Sequence, residues 1–381
     1  MIIVIIGFYP LYTFAKIPDM NPSRKIVIWL LAGCVLIWAM VVVGGITRLT
    51  HSGLSMAKWK ISSIIPPHSD EEWQQDFNDY KQTPEYKQVN SYFTIEDYKH
   101  IYWWEFIHRL IGRMIGMVFL IPFAYFVYKG WLKGKLLIKC LVIFAMGGAQ
   151  GVLGWYMVAS GLQDVPHVSH YFLAAHLITA FITFGYSFWV ALDLIYPINL
   201  PQTLKGALNS TTQSPFRSLG QAEHQFQSLR KWSWFLLIIV AIQVIYGAFT
   251  SGLHAGQFDP TWPKMGDDWI APQITSMTPV WRNFIDGIAG VQFIHRYNAY
   301  LVVILVFIIW FKSRKMQLLP TQSNGIKFLL GMVLVQFVLG VLTLINSVPV
   351  TLGVLHQTGA FLLFASSIFV LHQWKVGKAA S

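Results

Sequence analysis

The chain has 381 residues, of which 55% are hydrophobic and 12% are charged, and its mean hydropathy is +0.50. Soluble domains carry about twice that share of charged residues, so the composition excludes an ordinary soluble protein and indicates a membrane protein. The net charge of +11 has the sign expected of a nucleic-acid-binding protein. Its basic residues, however, fall in short clusters between apolar stretches, and we therefore expect no nucleic-acid partner.

The chain begins with a short apolar run over residues 1–16, which Pro10 interrupts and which is too short to span a bilayer. An interfacial helix, a signal remnant and a start-site artefact remain open readings of this run. After it come eight apolar stretches of about 20 residues or more, the length needed to cross a membrane. They lie at about 26–47, 105–128, 136–160, 168–192, 233–253, 290–311, 326–346 and 350–372. The sequence therefore predicts an all-α membrane protein with eight transmembrane helices.

The basic clusters all fall on one side of these helices. They contain Arg24, Lys25, Lys129, Lys133, Lys135, Arg217, Arg230, Lys231, Lys312, Arg314, Lys315, Lys327, Lys375 and Lys378. The positive-inside rule then places both termini in the cytoplasm, and we expect a multi-pass protein of the bacterial plasma membrane in contact with lipid.

The opposite, outer side carries a long loop at about 52–103 that is rich in Trp, Tyr and acidic residues. We expect it to fold as a cap, with a solvated spacer as the alternative. Residues 200–228 are rich in Ser, Gln and Thr and are typical of a flexible inner linker. Cys34 and Cys140 lie inside predicted spans, so we expect no disulfide.

Two histidine motifs occur twice. Glu-Phe-Ile-His-Arg at 105–109 returns as Gln-Phe-Ile-His-Arg at 292–296, and His-x3-Ala-Phe begins at both His176 and His356. A third pair, Gln-x-Val-Leu-Gly, begins at Gln150 and Gln336, and the copies are about 185 residues apart. We therefore predict two duplicated four-helix bundles. The expected division is an N-terminal segment 1–25, a first half 26–199, a linker 200–232, a second half 233–372 and a tail 373–381.

The four duplicated histidines lie a few residues into helices that all start from the outer side: His108, His176, His295 and His356. Two histidines at similar depth on different helices of one bundle are the arrangement that holds a haem iron from both axial positions. Zinc prefers additional thiolate or carboxylate ligands, which do not accompany these residues. A lone histidine in an apolar helix is more often a helix contact than a ligand. The occurrence of these four histidines at duplicated positions favours a role as ligands.

One face of the second helix carries several polar and small residues at helical spacing: Glu105, His108, Arg109, Gly112, Arg113 and Gly116. The glycines admit a close helix neighbour or a flat porphyrin. Unpaired charges are costly in hydrocarbon, and haem propionates are suitable partners for Arg109, Arg113 and Arg296. The alternatives are an ion pair with Glu105 and snorkelling to the surface.

These and other motifs, in this order and spacing, resemble the haem A synthase family in its mitochondrial and alphaproteobacterial form. The matching stretches are Gly44-Gly45-Ile46-Thr47-Arg48-Leu49-Thr50, Ser52-Gly53-Leu54-Ser55-Met56, Pro66-Pro67, Pro84-Glu85-Tyr86-Lys87, Glu105-Phe106-Ile107-His108-Arg109 and Ala174-Ala175-His176-Leu177. The resemblance covers about residues 25–375. The chain lacks the outer-loop cysteine pair of some bacterial members, and we assign no family role to His51.

The resemblance implies an oxidoreductase that oxidises a methyl group of haem O to the formyl group of haem A, for terminal oxidases. It implies that His108 and His176 hold the substrate haem, that His295 and His356 hold a resident haem b, and that Glu105 is catalytic, as a base or charge stabiliser. The alternative for Glu105 is a structural ion pair with Arg109. Arg48, Arg109, Arg113 and Arg296 are expected to bind the cofactors.

The resemblance also implies partners, namely the farnesyl transferase that makes haem O and an electron donor that the sequence does not identify. A homo-oligomer is compatible with the sequence. Two other functions account for four histidines: a di-haem b-type carrier that takes electrons from a quinol, and a haem transport or assembly factor. The electron carrier does not account for a carboxylate in one half only, and the transport or assembly factor would use the duplication to build a passage.

Overall fold

The computed structural model describes residues 22–57, 65–161, 168–196 and 215–375. Within these ranges the chain is almost entirely helical, and eight helices are long and apolar enough to cross a membrane. The elements in chain order are α1 (Pro22–Leu49), α2 (Asp70–Tyr80), α3 (Pro84–Gln88), α4 (Ile95–Tyr128), α5 (Gly134–Gly161), α6 (His170–Ile195), α7 (Pro215–Gly252), α8 (Ile288–Ser313), α9 (Pro320–Ile345) and α10 (Val350–Gln373). All except α2 and α3 are candidate spans, which confirms the predicted all-α membrane fold.

Two helices are longer than their apolar stretches predicted. Helix α4 begins at Ile95 and not near 105, because Thr94 and Asp97 form a capping box in which each side chain bonds the other's backbone N–H. Helix α7 begins at Pro215, inside the predicted linker 200–232. Its first turns are polar but contain good helix formers such as Gln, Ala, Leu and Arg, which hydropathy alone does not detect. The expectations for residues 1–16 and for 200–214 lie outside the described residues.

The helices form two groups of four around a shared centre. Helices α1, α6, α7 and α10 pack against one another, while α4 and α5 flank them on one side and α8 and α9 on the other. We call the side with the two long loops, 50–94 and 253–287, the cap face, and the opposite side the terminal face. Helices α4, α6, α8 and α10 all start at the cap face, which is consistent with the predicted duplication.

An aromatic cluster lies on the terminal side of the four motif histidines, between α6 and α10. Phe184 and Phe361 have ring centroids 4.3 Å apart, and Phe181 lies 5.2 Å from Phe361. Gly185 lets α10 approach, since a Cβ at this position would come within 2.8 Å of Ile368. Close contact of this kind is what holds helices together in lipid. This aromatic packing therefore supports the helices directly on the terminal side of the histidines.

On the terminal face a partly buried ion cluster joins the two halves. Asp193 of α6 accepts hydrogen bonds from Lys139 of α5 (2.6 Å) and from Lys375, just past α10 (2.6 Å). Its carboxylate also lies 3.0 Å from Nε2 of His372, a side chain that is only 3% exposed. Charge-assisted bonds of this type fix orientation as well as adding energy.

The described parts of the first long loop, 50–57 and 65–94, fold onto α4 as a cap. Helices α2 and α3 close an aromatic cluster in which Tyr80 stacks on Tyr98 with centroids 5.1 Å apart and Trp73 meets Tyr102 edge-on at 4.9 Å. The buried members of this cap cluster are Met56, Trp73, Phe77, Tyr80, Tyr98, Ile101, Tyr102 and Phe106. The second loop contains three short 3-10 helices instead. Asn283, in the last of them, accepts a hydrogen bond from the N–H of Met277 and donates to the carbonyl oxygens of Met277 and Val280.

Candidate functional site

The second pair of histidines converges in the interior of the second half. The rings of His295 on α8 and His356 on α10 have centroids 6.3 Å apart. A metal ion midway between them would lie at the distance expected when an imidazole nitrogen bonds a metal at about 2.0–2.1 Å. The separation therefore fits one iron held from both sides. His108 on α4 and His176 on α6 occupy the corresponding positions in the first half.

Each of the four rings lies against a glycine of the preceding span. A Cβ built on the glycine would approach the ring to 3.1 Å for Gly44 with His108, 3.1 Å for Gly154 with His176, 3.3 Å for Gly247 with His295 and 2.9 Å for Gly340 with His356. Any larger residue would push the ring away. The four glycines thus fix the positions of the imidazoles, and the sequence motifs contained all of them except Gly247.

A glutamine one turn before the glycine holds three of the four histidines. The amide of Gln243 lies 3.2 Å from Nδ1 of His295 and donates to the carbonyl oxygen of the same residue at 2.9 Å. Gln336 does the same for His356, at 3.1 and 2.9 Å. Groups that orient a metal-binding imidazole in this way tune its position and basicity. Sequence reasoning missed Gln243, although its spacing to Gly247 repeats that of Gln150 to Gly154.

The first half departs from this pattern. Gln150 donates to the carbonyl oxygen of His176 at 3.0 Å and to Thr179 at 3.0 Å, and Nδ1 of His176 has no partner among the described residues. The residue one turn before Gly44 is Met40, which has no amide to offer His108. The histidines of the first half are therefore less constrained at their ring nitrogens than those of the second half.

Glu105 lies one turn before His108, is 2% exposed and has three donors around it. One oxygen accepts from the hydroxyl of Ser55 at 2.7 Å and from the backbone N–H of Met56 at 2.8 Å, and the other pairs with Arg109. The structure thus shows the alternative ion-pair partner for Arg109. Its expected contact with a propionate stays a prediction, as it does for Arg113, which is partly buried on the same helix.

Gln292, the counterpart of Glu105, donates hydrogen bonds to its loop, whereas Glu105 accepts them. Its amide donates to the carbonyl oxygens of Ala255 at 2.9 Å and Asp259 at 3.4 Å. Arg296 likewise bonds loop carbonyls, those of Asp259, Thr261 (2.8 Å) and Lys264 (2.9 Å). The first-half loop offers donors to a carboxylate, whereas the second-half loop offers acceptors to an amide. The loop groups beside position 105 therefore match a carboxylate, and those beside position 292 match an amide.

Arg48 joins the two halves at the cap face. Its guanidinium donates to the carbonyl oxygen of Ser251 at 2.8 Å, at the end of α7, and to Nε2 of His254 at 3.3 Å. His254 and His51 both have left-handed backbones, with φ of 53° and 54°, and their rings stack with centroids 5.5 Å apart. Partial burial, followed by the charge of Arg48, lowers the pKa of His51. The sequence motifs did not show this histidine pair.

Comparison with known proteins gives the same relatives along nearly the whole chain. A family model described as cytochrome oxidase assembly protein matches residues 27–368. Haem A synthase of Flavobacterium johnsoniae is 46% identical over 356 residues, which are 92% of this chain and 98% of that protein. Haem A synthase of Nitrosospira multiformis is 43% identical over 92% of this chain and 94% of its own length. That of Brucella anthropi is 37% identical, covering 94% of this chain and 93% of its own.

Proposed function

The chain belongs to the haem A synthase family of cytochrome oxidase assembly proteins, and from this premise we propose that the reaction takes place in its first half, next to Glu105. The protein is a membrane oxidoreductase that converts haem O to haem A. The observation that carries the assignment is the asymmetry between the halves. A buried, fully hydrogen-bonded carboxylate stands beside His108, whereas an amide stands beside His295.

Four histidines hold the two haems in this proposal. His295 and His356 bind a resident haem b, a role supported by the 6.3 Å separation of their rings and by the two glutamine amides that orient them. His108 and His176 bind haem O, the substrate. Haem iron supplies one-electron redox chemistry when bound. A resident cofactor benefits from rigid ligands, while a substrate that enters and leaves suits the less constrained pair.

Unequal space beside the histidines supports the same assignment. A Cβ placed on Gly116, Gly147, Gly148 or Gly151 of the first half would meet none of the described side chains within 4 Å. The corresponding residues of the second half are larger: Val303, Val333, Leu334 and Phe337. The first half therefore has more room along α4 and α5 for a haem with a long farnesyl-derived tail, which is as apolar as lipid.

Glu105 acts in this proposal mainly as an electrostatic stabiliser. Ser55, the N–H of Met56 and Arg109 hold the carboxylate in one position, and a preorganised charge costs no reorganisation when positive charge develops nearby. Arg48, Arg109 and Arg296 bond groups at the cap face, and Arg113 lies one turn further along α4 than Arg109. In this proposal the four arginines supply the positive charge that binds the propionates of both haems. The farnesyl transferase that makes haem O and an electron donor are the expected partners.

Pigment extraction from the purified protein tests this function. We expect haem b together with haem O or haem A, because one site is permanent and the other exchanges substrate for product. Chromatography of the extracted haems is the measurement. Haem b alone would favour the quinol-linked electron carrier, and substoichiometric, exchangeable haem would favour a transport or assembly factor.

We further propose that the terminal face is cytoplasmic and that the membrane is the bacterial plasma membrane. Reporter fusions after residues 132 and 320 should report the cytoplasm, and a fusion within 70–90 should report the outer side, because the Lys and Arg clusters alternate in that way. For each fusion site we compare two reporters: an enzyme that is active only outside the cell and a fluorescent protein that is active only inside it. A cytoplasmic signal from 70–90 would reverse the orientation.

A further inference from the structure

An aromatic cluster joins the second long loop to helices α8 and α9. It consists of Trp262 from the loop, Tyr300 of α8 and Phe337 of α9. Nε1 of Trp262 donates a hydrogen bond to the hydroxyl oxygen of Tyr300 at 3.0 Å. The ring of Phe337 lies 5.3 Å from that of Tyr300 and meets the ring of Trp262 edge-on at 6.4 Å. The three side chains therefore connect the loop to both helices at one point.

The loop backbone on both sides of Trp262 is held by hydrogen bonds. Arg296 of α8 donates to the carbonyl oxygens of Thr261 and Lys264 at 2.8 and 2.9 Å. The hydroxyl of Thr261 donates to the carbonyl oxygen of Lys264 at 2.9 Å and accepts from the N–H of Gly266 at 2.8 Å. Because this backbone is already fixed, keeping the indole in the cluster costs little additional conformational entropy.

The cluster lies where α8 and α9 meet, on the side of the second half that faces lipid. Helices α7 and α10 of this half pack against helices of the first half, so α8 and α9 form its outer wall. Tyr300 lies five residues past His295, and Phe337 lies three residues before Gly340, the glycine that touches the ring of His356. At about 1.5 Å per residue, both positions are within about 8 Å of the histidine level along their helices. The cluster therefore covers the contact line between α8 and α9, which we call the outer seam, near the depth of the histidine pair.

The corresponding seam of the first half, between α4 and α5, has neither of the two helix aromatics. Arg113 corresponds to Tyr300, since each follows the motif arginine by four residues, and Gly151 corresponds to Phe337, since each follows the motif glutamine. Gly151 is exposed, and a Cβ on it would meet none of the described atoms within 4 Å, whereas Phe337 is half-buried. The two positions against which Trp262 packs are thus a charged side chain and a bare backbone in the first half.

We propose that Trp262, Tyr300 and Phe337 retain the haem of the second half by closing its outer seam. Release of that haem towards lipid requires α8 and α9 to separate, and the aromatic contacts and the indole hydrogen bond oppose this separation. The first half lacks the same barrier, which suits a haem that enters as substrate and leaves as product. The three aromatic residues thus make one haem a resident cofactor. This role rests on the proposed assignment of haem b to the second half.

Transfer of haem to apomyoglobin measures retention without any turnover. The solubilised, haem-loaded protein is mixed with excess apomyoglobin, and the haems that remain bound are extracted at intervals and separated by chromatography. Trp262→Ala and Phe337→Ala should each release haem b at least about tenfold faster than the wild type, because each opens the outer seam. Release of haem O or haem A from the first half of the same molecules should not change. Trp281→Ala is the matched control, because Trp281 lies in the same loop and is 60% exposed.

Two results would overturn the proposal. The first is release of haem b at the wild-type rate from either variant, which would show that the outer seam is not the barrier. The second is equal acceleration for all haems, which would indicate a general loosening of the fold. If the alanine variants do not accumulate, Trp262→Phe and Phe337→Leu replace them: faster release of haem b alone supports the proposal, and the wild-type rate contradicts it. A wild type that contains no haem b would instead contradict the proposed function.

Discussion

Replacing Glu105 with Gln is expected to lower haem A formation about 100-fold or more while leaving a folded protein that contains both haems. The substitution keeps an oxygen that can accept from Ser55 and from the N–H of Met56, and it removes the charge. Haem O or a partly oxidised alcohol should accumulate. Chromatography of haems extracted from cells that also express a farnesyl transferase is the measurement.

Glu96→Gln on the same helix serves as the control, since it removes an exposed carboxylate. A normal yield of haem A from Glu105→Gln would show that Glu105 only partners Arg109. Loss of all pigment would show that it mainly supports assembly of the site. Gln292 occupies the corresponding position in the other half, but it is a weak guide to whether Gln is tolerated at position 105. The loop beside Gln292 offers carbonyl acceptors, whereas the loop beside Glu105 offers donors.

The second large effect is expected at the other pair of histidines. His295→Ala or His356→Ala should lower the affinity for haem b at least about tenfold, because each removes one of two ligands from a site whose rings are already positioned. The first-half pigment should be retained in part. Absorption spectra of the reduced proteins, with haem quantified after extraction, measure both sites.

His108→Ala and His176→Ala are the matched variants, since they are expected to spare haem b and to reduce bound haem O. Haem b that remains at the wild-type level in both His295→Ala and His356→Ala would disprove the assignment of the second pair. Equal loss of both pigments in all four variants would show instead that the halves assemble only together.

Hydropathy predicted where the eight spans lie, but not where all of them begin. The start of α4 at Ile95 depends on a polar capping box, and the start of α7 at Pro215 depends on helix propensity in a polar segment. Neither signal contributes to an apolar window. The fold of the cap needed tertiary contacts, such as that of Trp73 with Tyr102, which no local pattern specifies.

The histidine motifs predicted which rings come together, and their role as haem ligands stays a prediction. The ion pair of Arg109 with Glu105 was one of the alternatives that the sequence offered. The partners of Arg296 were harder to predict, because they are carbonyl oxygens of the loop between α7 and α8. Gln243 was detectable from its spacing to Gly247, which repeats that of Gln336 to Gly340.

The ion cluster on the terminal face shows how the two halves of a predicted duplication can come to depend on each other. An ancestor with four spans would have paired with an identical copy, each presenting the same residues to the other. Asp193 and His372 break that equivalence, since the position corresponding to Asp193 is occupied by Gln373 in the second half and the position corresponding to His372 by Leu192 in the first. The two halves are therefore no longer interchangeable at this contact. A dimer of two first halves would lack His372, and a dimer of two second halves would leave His372 buried without the carboxylate of Asp193.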